Sequence, residues 1–263
     1  QLHPLPKSLT ANWGKKQKAR FLLFHSIKEK NAGFSALLRD ILFVFTMLKA
    51  VLFDLDGTVL DTLPDLNACM NEALAQYGCP TITLDETRRY VGNGGLLYAS
   101  RALPAERRAE AEHFYKDVYC PVHFRCKNER TKPFPGEAEC MAALRAAGIR
   151  LAVVTNKSQH AADELGQTLL RPYGFSVIFG NRDGIPVKPD PTGARMVLEE
   201  LGVDPAEAAF VGDGETDVQT AKNAGMRGVS VLWGYRTQAQ LRAAGAERFA
   251  HTFAELQAIL LSM

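Results

Sequence analysis

The chain has 263 residues, 46% apolar and 23% charged, an ordinary soluble-globular composition long enough for one large α/β domain or two modest ones. Its formal charge of +2 is unevenly spread: residues 1–46 hold 8 Lys/Arg and 2 Asp/Glu (net +6), which leaves 23 basic and 27 acidic residues (net −4) on 47–263. The body is mildly acidic, so nothing there points to a nucleic-acid-binding surface.

The basic leader contains Lys15-Lys16-Gln17-Lys18-Ala19-Arg20. It reads as a targeting peptide, as a polybasic tether, or as upstream sequence joined to a chain that starts at Met47. The last is favoured, because Met47-Leu48-Lys49-Ala50 makes a natural start to a Rossmann-type chain, so residues 1–46 are expected to be poorly ordered or not native. The apolar run Ile41–Phe45 is too short to span a membrane, and no transmembrane helix is expected.

The next segment, Val51-Leu52-Phe53-Asp54-Leu55-Asp56-Gly57-Thr58, carries the most information. A continuous apolar run predicts a buried parallel strand over Ala50–Leu55. Two aspartates one residue apart at its carboxyl end crowd like charges together, at the edge where open α/β sheets bind ligands. Asp-Gly between apolar runs also fits a hairpin turn, but Asp61-Thr62-Leu63-Pro64 then starts a helix, with Asp61 or Thr62 as N-cap and Pro64 in the first turn.

Helical periodicity follows over Leu63–Tyr77, Leu84–Val91, Leu96–Leu103 and Ala105–Val118, with no convincing strand between Asp61 and Thr131. Pro133-Phe134-Pro135-Gly136 reads as a linker. Strands and helices then alternate: helix Glu137–Ala147, strand Ile149–Val154, helix Ser158–Leu170, strand Ser176–Phe179, helix Thr192–Leu201, strand Ala208–Val211, helix Glu215–Ala224, strand Gly228–Leu232 and two closing helices. The pattern predicts a Rossmann-like α/β fold, a parallel sheet covered by helices on both faces, with a small helical cap domain inserted after the first strand. The expected core domain is 47–62 with 134–263, and the cap is 63–133. The short links Thr62–Pro64 and Lys132–Gly136 are candidate hinges.

Chemistry recurs at the predicted strand ends. Thr155, Asn156 and Lys157 precede a helix that Ser158 could cap, which makes an anion site. Lys188 stands between Pro186 and Pro189. Asp213, Glu215 and Asp217 start another helix. Carboxylates, a hydroxyl, a lysine and amide donors at one sheet edge suit Mg²⁺ and phosphate. Cysteines 69, 79, 120, 126 and 140 make an odd set without CxxC spacing, which fits free thiols in the cytoplasm. His113, Cys120, His123 and Cys126 do not follow a known zinc pattern and read as ordinary helix and loop residues.

D-L-D-G-T, V-V-T-N-K, V-K-P-D-P and V-G-D-G-E-T-D resemble, in order, the four motifs of the haloacid dehalogenase superfamily, and the likeness spans residues 48 to about 255. The inserted cap is similar to the family's helical cap class. Arg88-Arg89-Tyr90-Val91-Gly92-Asn93-Gly94 and the segment Leu48–Thr62 are similar to the phosphoglycolate phosphatase branch. The resemblance implies Asp54 as nucleophile, Asp56 as general acid and base, and Lys188 as neutraliser of transition-state charge. It implies Mg²⁺ held by Asp54, the Asp56 backbone carbonyl and Asp213, with Asp217 acting behind them on a bound water or on Lys188. Thr155 and the Asn156 backbone would hold phosphate oxygens, and Asn93 and Gly94 would lie nearest the substrate; Glu215 has no role.

A halide leaving group needs no proton and an alkoxide does, so Asp56 points to phosphoryl transfer rather than dehalogenation. Phosphonate hydrolysis would call on Lys116 or Lys127. The expected partner is a small phosphorylated metabolite, with no nucleic acid or membrane, acting on a monomer or homodimer. The core motifs do not separate a phosphatase from a phosphomutase, and a sugar phosphate, nucleotide or pyrophosphate stands as the alternative to phosphoglycolate. A silent module on the same fold is disfavoured, because every core catalytic position holds a competent residue. A glycolate carboxylate would need a cation or amide, for which Arg88, Arg89 and Arg101 are available.

Overall fold

A computed structural model describes residues 47–263; the expectations for the basic leader lie outside the described residues. Six parallel strands, β1 (Ala50–Phe53), β4 (Arg150–Ser158), β5 (Val177–Asn181), β6 (Ala208–Gly212), β7 (Arg227–Val231) and β8 (Phe249–Ala250), form one sheet in the order β5-β4-β1-β6-β7-β8. The expected α/β class is the one observed. All four residues of β1 are fully buried, as a central strand covered on both sides requires.

The covering follows strand alternation. Val51 and Phe53 join a cluster with Cys140, Met141 and Leu144 of α6 (Glu137–Ala146) and with Phe253, Leu256 and Leu260 of α11 (Phe253–Leu261). Ala50 and Leu52 face the other way, onto Ala194, Val197 and Leu198 of α8 (Thr192–Leu201) and Ala221 and Ala224 of α9 (Glu215–Ala224). Helix α7 (Gln159–Gln167) adds Leu165 to the first layer, and α10 (Gln238–Ala243) precedes β8.

Between β1 and β4 the chain forms α1 (Leu63–Gln76), α2 (Leu84–Tyr90), α3 (Gly95–Ala102), α4 (Ala111–His113) and α5 (Cys120–Arg125). These helices have a core of their own, built from Leu63, Met70, Leu74, Ala99, Phe114 and Val122 among others. The two links to the sheet are not open loops. Leu60–Asp61 (β2) pairs antiparallel with Lys132–Pro133 (β3), which corrects the reading of Pro133 as linker.

Three further expectations differ from the structure. β1 stops at Phe53 because the Leu55 carbonyl leaves the ladder and accepts from the amides of Thr58, Val59 and Leu60. Strand alternation therefore does not relate Asp54 to Asp56. Ala105–Val118 is not one helix: a 3₁₀ turn over Ala105–Glu110 leads into α4, and Phe114–Tyr119 is a π turn before α5. Pro121 explains the π turn, since it cannot donate and its ring crowds the preceding turn; the Cys120 amide reaches the Tyr115 carbonyl instead. The two-residue strand β8 was hidden between the closing helices.

Glu137, in the first turn of α6, is 1% exposed, and the Tyr173 hydroxyl beside its carboxylate offsets only part of the cost of burial. Burial pushes its carboxyl up to about 8. The native state then holds a proton that the unfolded chain releases above its ordinary pKa of 4.5, so this site's contribution falls as pH rises from about 4.5 through 8. Glu137→Gln is expected to raise Tm by several degrees above about pH 8 and to leave it nearly unchanged below about pH 5, as measured by thermal melts across pH.

Candidate active site

The sheet order places the site. From β1 the chain moves out to β4 and β5 on one side, then returns to β6 and β7 on the other. The carboxyl end of β1 is thus the switch point where ligands bind. Phe53 is in register with Val153 and Val211, so Asp54 emerges beside the ends of β4 and β6, and its amide donates to the Val211 carbonyl at 2.8 Å. Thr155 and Asp213 follow two residues past those register partners.

Asp54, Asp213 and Asp217 present carboxylate oxygens all within 4.8 Å of one another. Lys188 Nζ lies 2.7 Å from Asp54 Oδ1 and 2.7 Å from Asp217 Oδ1. Burial pushes Asp54 up to about 6, Lys188 offsetting part of it, and burial with the neighbouring Asp217 and Asp54 pushes Asp213 up to about 8. For Lys188 burial disfavours the charge, yet Asp217 and Asp54 outweigh it and hold the ammonium above its ordinary range. Three crowded carboxylates, two of them paired with one ammonium, leave an excess of negative charge that a cation or protons must offset.

The Asp213 carboxylate is fixed by the Thr58 hydroxyl at 3.0 Å and the Tyr235 amide at 2.7 Å. Asp217 also accepts from the Gly214 amide at 2.8 Å. Gly57 has φ +83°, and a Cβ there would sit 2.6 Å from Asp213 Oδ2. Gly57→Ala therefore collides with a site carboxylate from a backbone conformation unsuited to L-residues. It is expected to lower turnover by about 100-fold or more and to destabilise by about 1–2 kcal/mol, checked by phosphate release and a thermal melt.

Asp56 is turned away from that trio. Its Oδ1 accepts from the Thr62 hydroxyl at 2.6 Å and from Lys157 Nζ at 3.0 Å. Burial works to raise this carboxyl, but Lys157 and Thr62 outweigh it and hold it below its ordinary value. Thr62 thus spends its hydroxyl on Asp56 and gives α1 no side-chain cap, while Asp61 reaches only the Leu63 amide, at 3.4 Å. Ser158 likewise makes no capping bond to α7.

Thr155 Oγ1 accepts from the Lys157 amide at 3.2 Å. The Asn156 side chain ties three segments together: Nδ2 donates to the Gly92 and Lys188 carbonyls, 3.1 Å each, and Oδ1 accepts from the Lys188 amide at 2.8 Å. The Gly92–Gly94 loop of the helical block therefore rests on the second motif. Asn93 and Gly94 line the same cavity as Asp54, Asp56, Thr155, Asn156, Asp213 and Asp217. Asn93 Oδ1 is engaged by Arg101 at 2.9 Å.

Sequence reasoning offered Arg88, Arg89 and Arg101 to an acidic substrate, but none of them lines this cavity; Lys157 and Arg236 do. Arg236 follows the end of β7, in Trp233-Gly234-Tyr235-Arg236, a strand end without an acidic marker to draw attention. Glu215, left without a role, receives its Nε at 3.0 Å. Lys116 pairs with Glu112, and neither Lys116 nor Lys127 reaches the cavity. His113 pairs with Asp117, apart from the cavity-lining Cys120 and His123.

The family model for haloacid dehalogenase-like hydrolases matches residues 51–231. The chain belongs to that family. A phosphoglycolate phosphatase of Pseudomonas putida is 35% identical over 204 residues, covering 74% of this chain and 73% of that protein. One from Vibrio vulnificus is 33% identical and covers 81% of this chain and 96% of that protein. Among solved structures, a protein of Lactobacillus delbrueckii subsp. bulgaricus assigned as a phosphoglycolate phosphatase superposes with TM-score 0.76 at 31% identity, covering 82% of this chain and 99% of that one. CbbY from Rhodobacter sphaeroides, solved with phosphate, gives TM-score 0.66 at 28% identity, covering 82% and 100%.

Proposed function

We propose that the chain is a Mg²⁺-dependent phosphatase that converts 2-phosphoglycolate to glycolate and phosphate. The observation that carries this reading is the meeting of Asp54, Lys188, Thr155 and the Asp213–Asp217 pair at one switch point, with Asp56 beside them on a separate hydrogen-bond network. The names of the Pseudomonas and Vibrio relatives supply the substrate.

The trio suits a hard divalent cation: its donors are all oxygen, and Lys188 pairs with Asp54 and Asp217 but leaves Asp213 without a cationic partner among the described residues. Asp54, Asp213 and the Asp56 backbone carbonyl would hold Mg²⁺, which when bound would offset the charge of the phosphate. The Thr155 hydroxyl and the Asn156 amide hold phosphate oxygens, and Lys188, oriented by Asp217, neutralises charge that builds in the transition state. Asp54 attacks phosphorus and becomes an aspartyl-phosphate as the P–O bond to glycolate breaks. Asp56, held ionised by Lys157 and Thr62 in the free protein, must first take up a proton as substrate binds. It then gives that proton to the leaving alkoxide and later takes one from the water that attacks the aspartyl-phosphate and regenerates Asp54.

The helical block 63–133 serves as the cap over a core of 47–62 and 134–263, with the β2–β3 ribbon as its hinge. Asn93 and Gly94 approach the leaving group from the cap. Among the described residues no helix is long and apolar enough to cross a membrane. All five cysteines are unpaired, which supports a reducing, cytoplasmic setting. The test is phosphate release, with and without Mg²⁺, across phosphoglycolate, sugar phosphates, nucleotides and pyrophosphate. Phosphoglycolate is expected to give the highest kcat/KM; a sugar phosphate or pyrophosphate ahead of it would reject the substrate.

A further inference from the structure

The cavity has few cations, and most are fully engaged. Arg236 gives Nε to Glu215 at 3.0 Å and its two terminal nitrogens to the carbonyls of Arg88 and Val91, 2.7 Å each. Lys188, one contact behind the cavity-lining Asp54 and Asp217, is divided between them. His123 is neutral, held down to about 4 by burial and then by Lys157 beside it.

Lys157 differs from all of these. Its side chain is 5% exposed, it lines the cavity, and its one ion pair among the described residues is with Asp56 Oδ1, 3.0 Å away. That partner is the group that must turn to the leaving oxygen for the reaction to proceed. A buried ammonium deprived of its anion is strongly disfavoured unless another anion takes its place.

The position also limits what that anion can be. With Asp56 near its present place, a leaving oxygen that hydrogen-bonds its carboxyl lies within about two hydrogen-bond lengths of Lys157 Nζ when it meets Oδ1, roughly 6 Å, and within roughly 8 Å when it meets the other oxygen. A –CH₂–COO⁻ group attached to that oxygen spans the gap, whereas an anion several carbons further along a chain overshoots it.

We propose that Lys157 binds the carboxylate of the leaving group, exchanging Asp56 for it as substrate enters, and so selects phosphate esters of short hydroxy acids. The inference rests on the phosphatase reading above and deepens it. Lys157 is the recognition group, and the release of Asp56 to the leaving oxygen is coupled to the presence of the correct substrate.

The full chain with Mg²⁺ tests this with two esters: 2-phosphoglycolate, and 2-hydroxyethyl phosphate, in which a neutral hydroxymethyl replaces the carboxylate. The measured quantity is the ratio of their kcat/KM values in the wild type, Lys157→Gln and Lys157→Arg, each checked by a thermal melt. Lys157→Gln is expected to cut the ratio by about 10- to 100-fold, mainly through KM for phosphoglycolate, the worth of one charged hydrogen bond. Lys157→Arg is expected to keep most of it, and Lys157→Met replaces the glutamine variant if that does not fold. A ratio unchanged in Lys157→Gln, with both esters losing equally, overturns the inference: Lys157 then only positions Asp56, and the phosphatase reading stands. A wild type that does not prefer the carboxylate ester rejects phosphoglycolate as substrate and this inference with it.

Discussion

Asp54→Asn is expected to lower Mg²⁺-dependent phosphate release by at least about 10⁴-fold without unfolding the protein. The amide keeps the shape of the carboxylate but is no nucleophile, and it removes one of the three carboxylates that suit the cation. The expected effect on stability has the opposite sign. Burial pushes the Asp54 carboxyl up to about 6, with Lys188 opposing and Asp217 adding to the shift. Its charge is thus a net burden on the metal-free fold at neutral pH, and replacing it with a neutral amide should hold or raise Tm. Loss of activity together with a retained or higher Tm separates a chemical role from a structural one. Activity within ten-fold of wild type would remove Asp54 from the reaction.

Lys188→Met carries the second large effect, and here both quantities fall together. Lys188 is 5% exposed and supplies the ammonium shared by Asp54 and Asp217. Removing it leaves buried carboxylates within 4.8 Å of one another with no opposing charge on that side. Breaking a buried ion pair from one end costs about 3–5 kcal/mol, so a clear drop in Tm is expected in the absence of metal. Mg²⁺ should recover part of that loss, because it stabilises the state that binds it. Turnover should fall by about 10³-fold, since charge building on phosphate loses its cationic partner. Melts with and without Mg²⁺, beside phosphate-release assays, check the set. A variant as stable as wild type without Mg²⁺ would show that Lys188 is not the counter-charge of the trio.

The parts of this molecule that were legible in its sequence share one physical trait: the signal is local. An apolar run ending in a polar group fixes a buried strand and its functional end, which is why Asp54, Thr155 and Asp213 could be placed before any contact was known. Helices α8 and α9 have the expected bounds because Gly202 and Gly225 close them in the left-handed conformation. What was not legible depends on partners far along the chain. Thr62 has the right chemistry for an N-cap, yet its hydroxyl goes to Asp56. Lys157 stood in plain view in the second motif, but that its ammonium meets Asp56, 101 residues away, depends on the packing of β4 against β1. Arg236 required the path of the chain beyond β7, and the β2–β3 ribbon required pairing between two-residue segments too short to carry a pattern.

Asp56 depends most on this long-range context. Two aspartates in one short motif end in different networks: Asp54 with Lys188, Asp56 with Thr62 and Lys157. On the proposed mechanism the two networks keep the attacking carboxylate and the proton-transfer carboxylate apart.

A rapid acid quench during turnover of phosphoglycolate with Mg²⁺, followed by mass analysis of the peptides, tests the covalent role of Asp54 most directly. The account predicts one phosphoryl group on the peptide that contains Asp54, formed and lost on the timescale of turnover and absent from Asp54→Asn. Phosphate release at full rate with no phosphorylated peptide, or with the phosphoryl group on another residue, would contradict it.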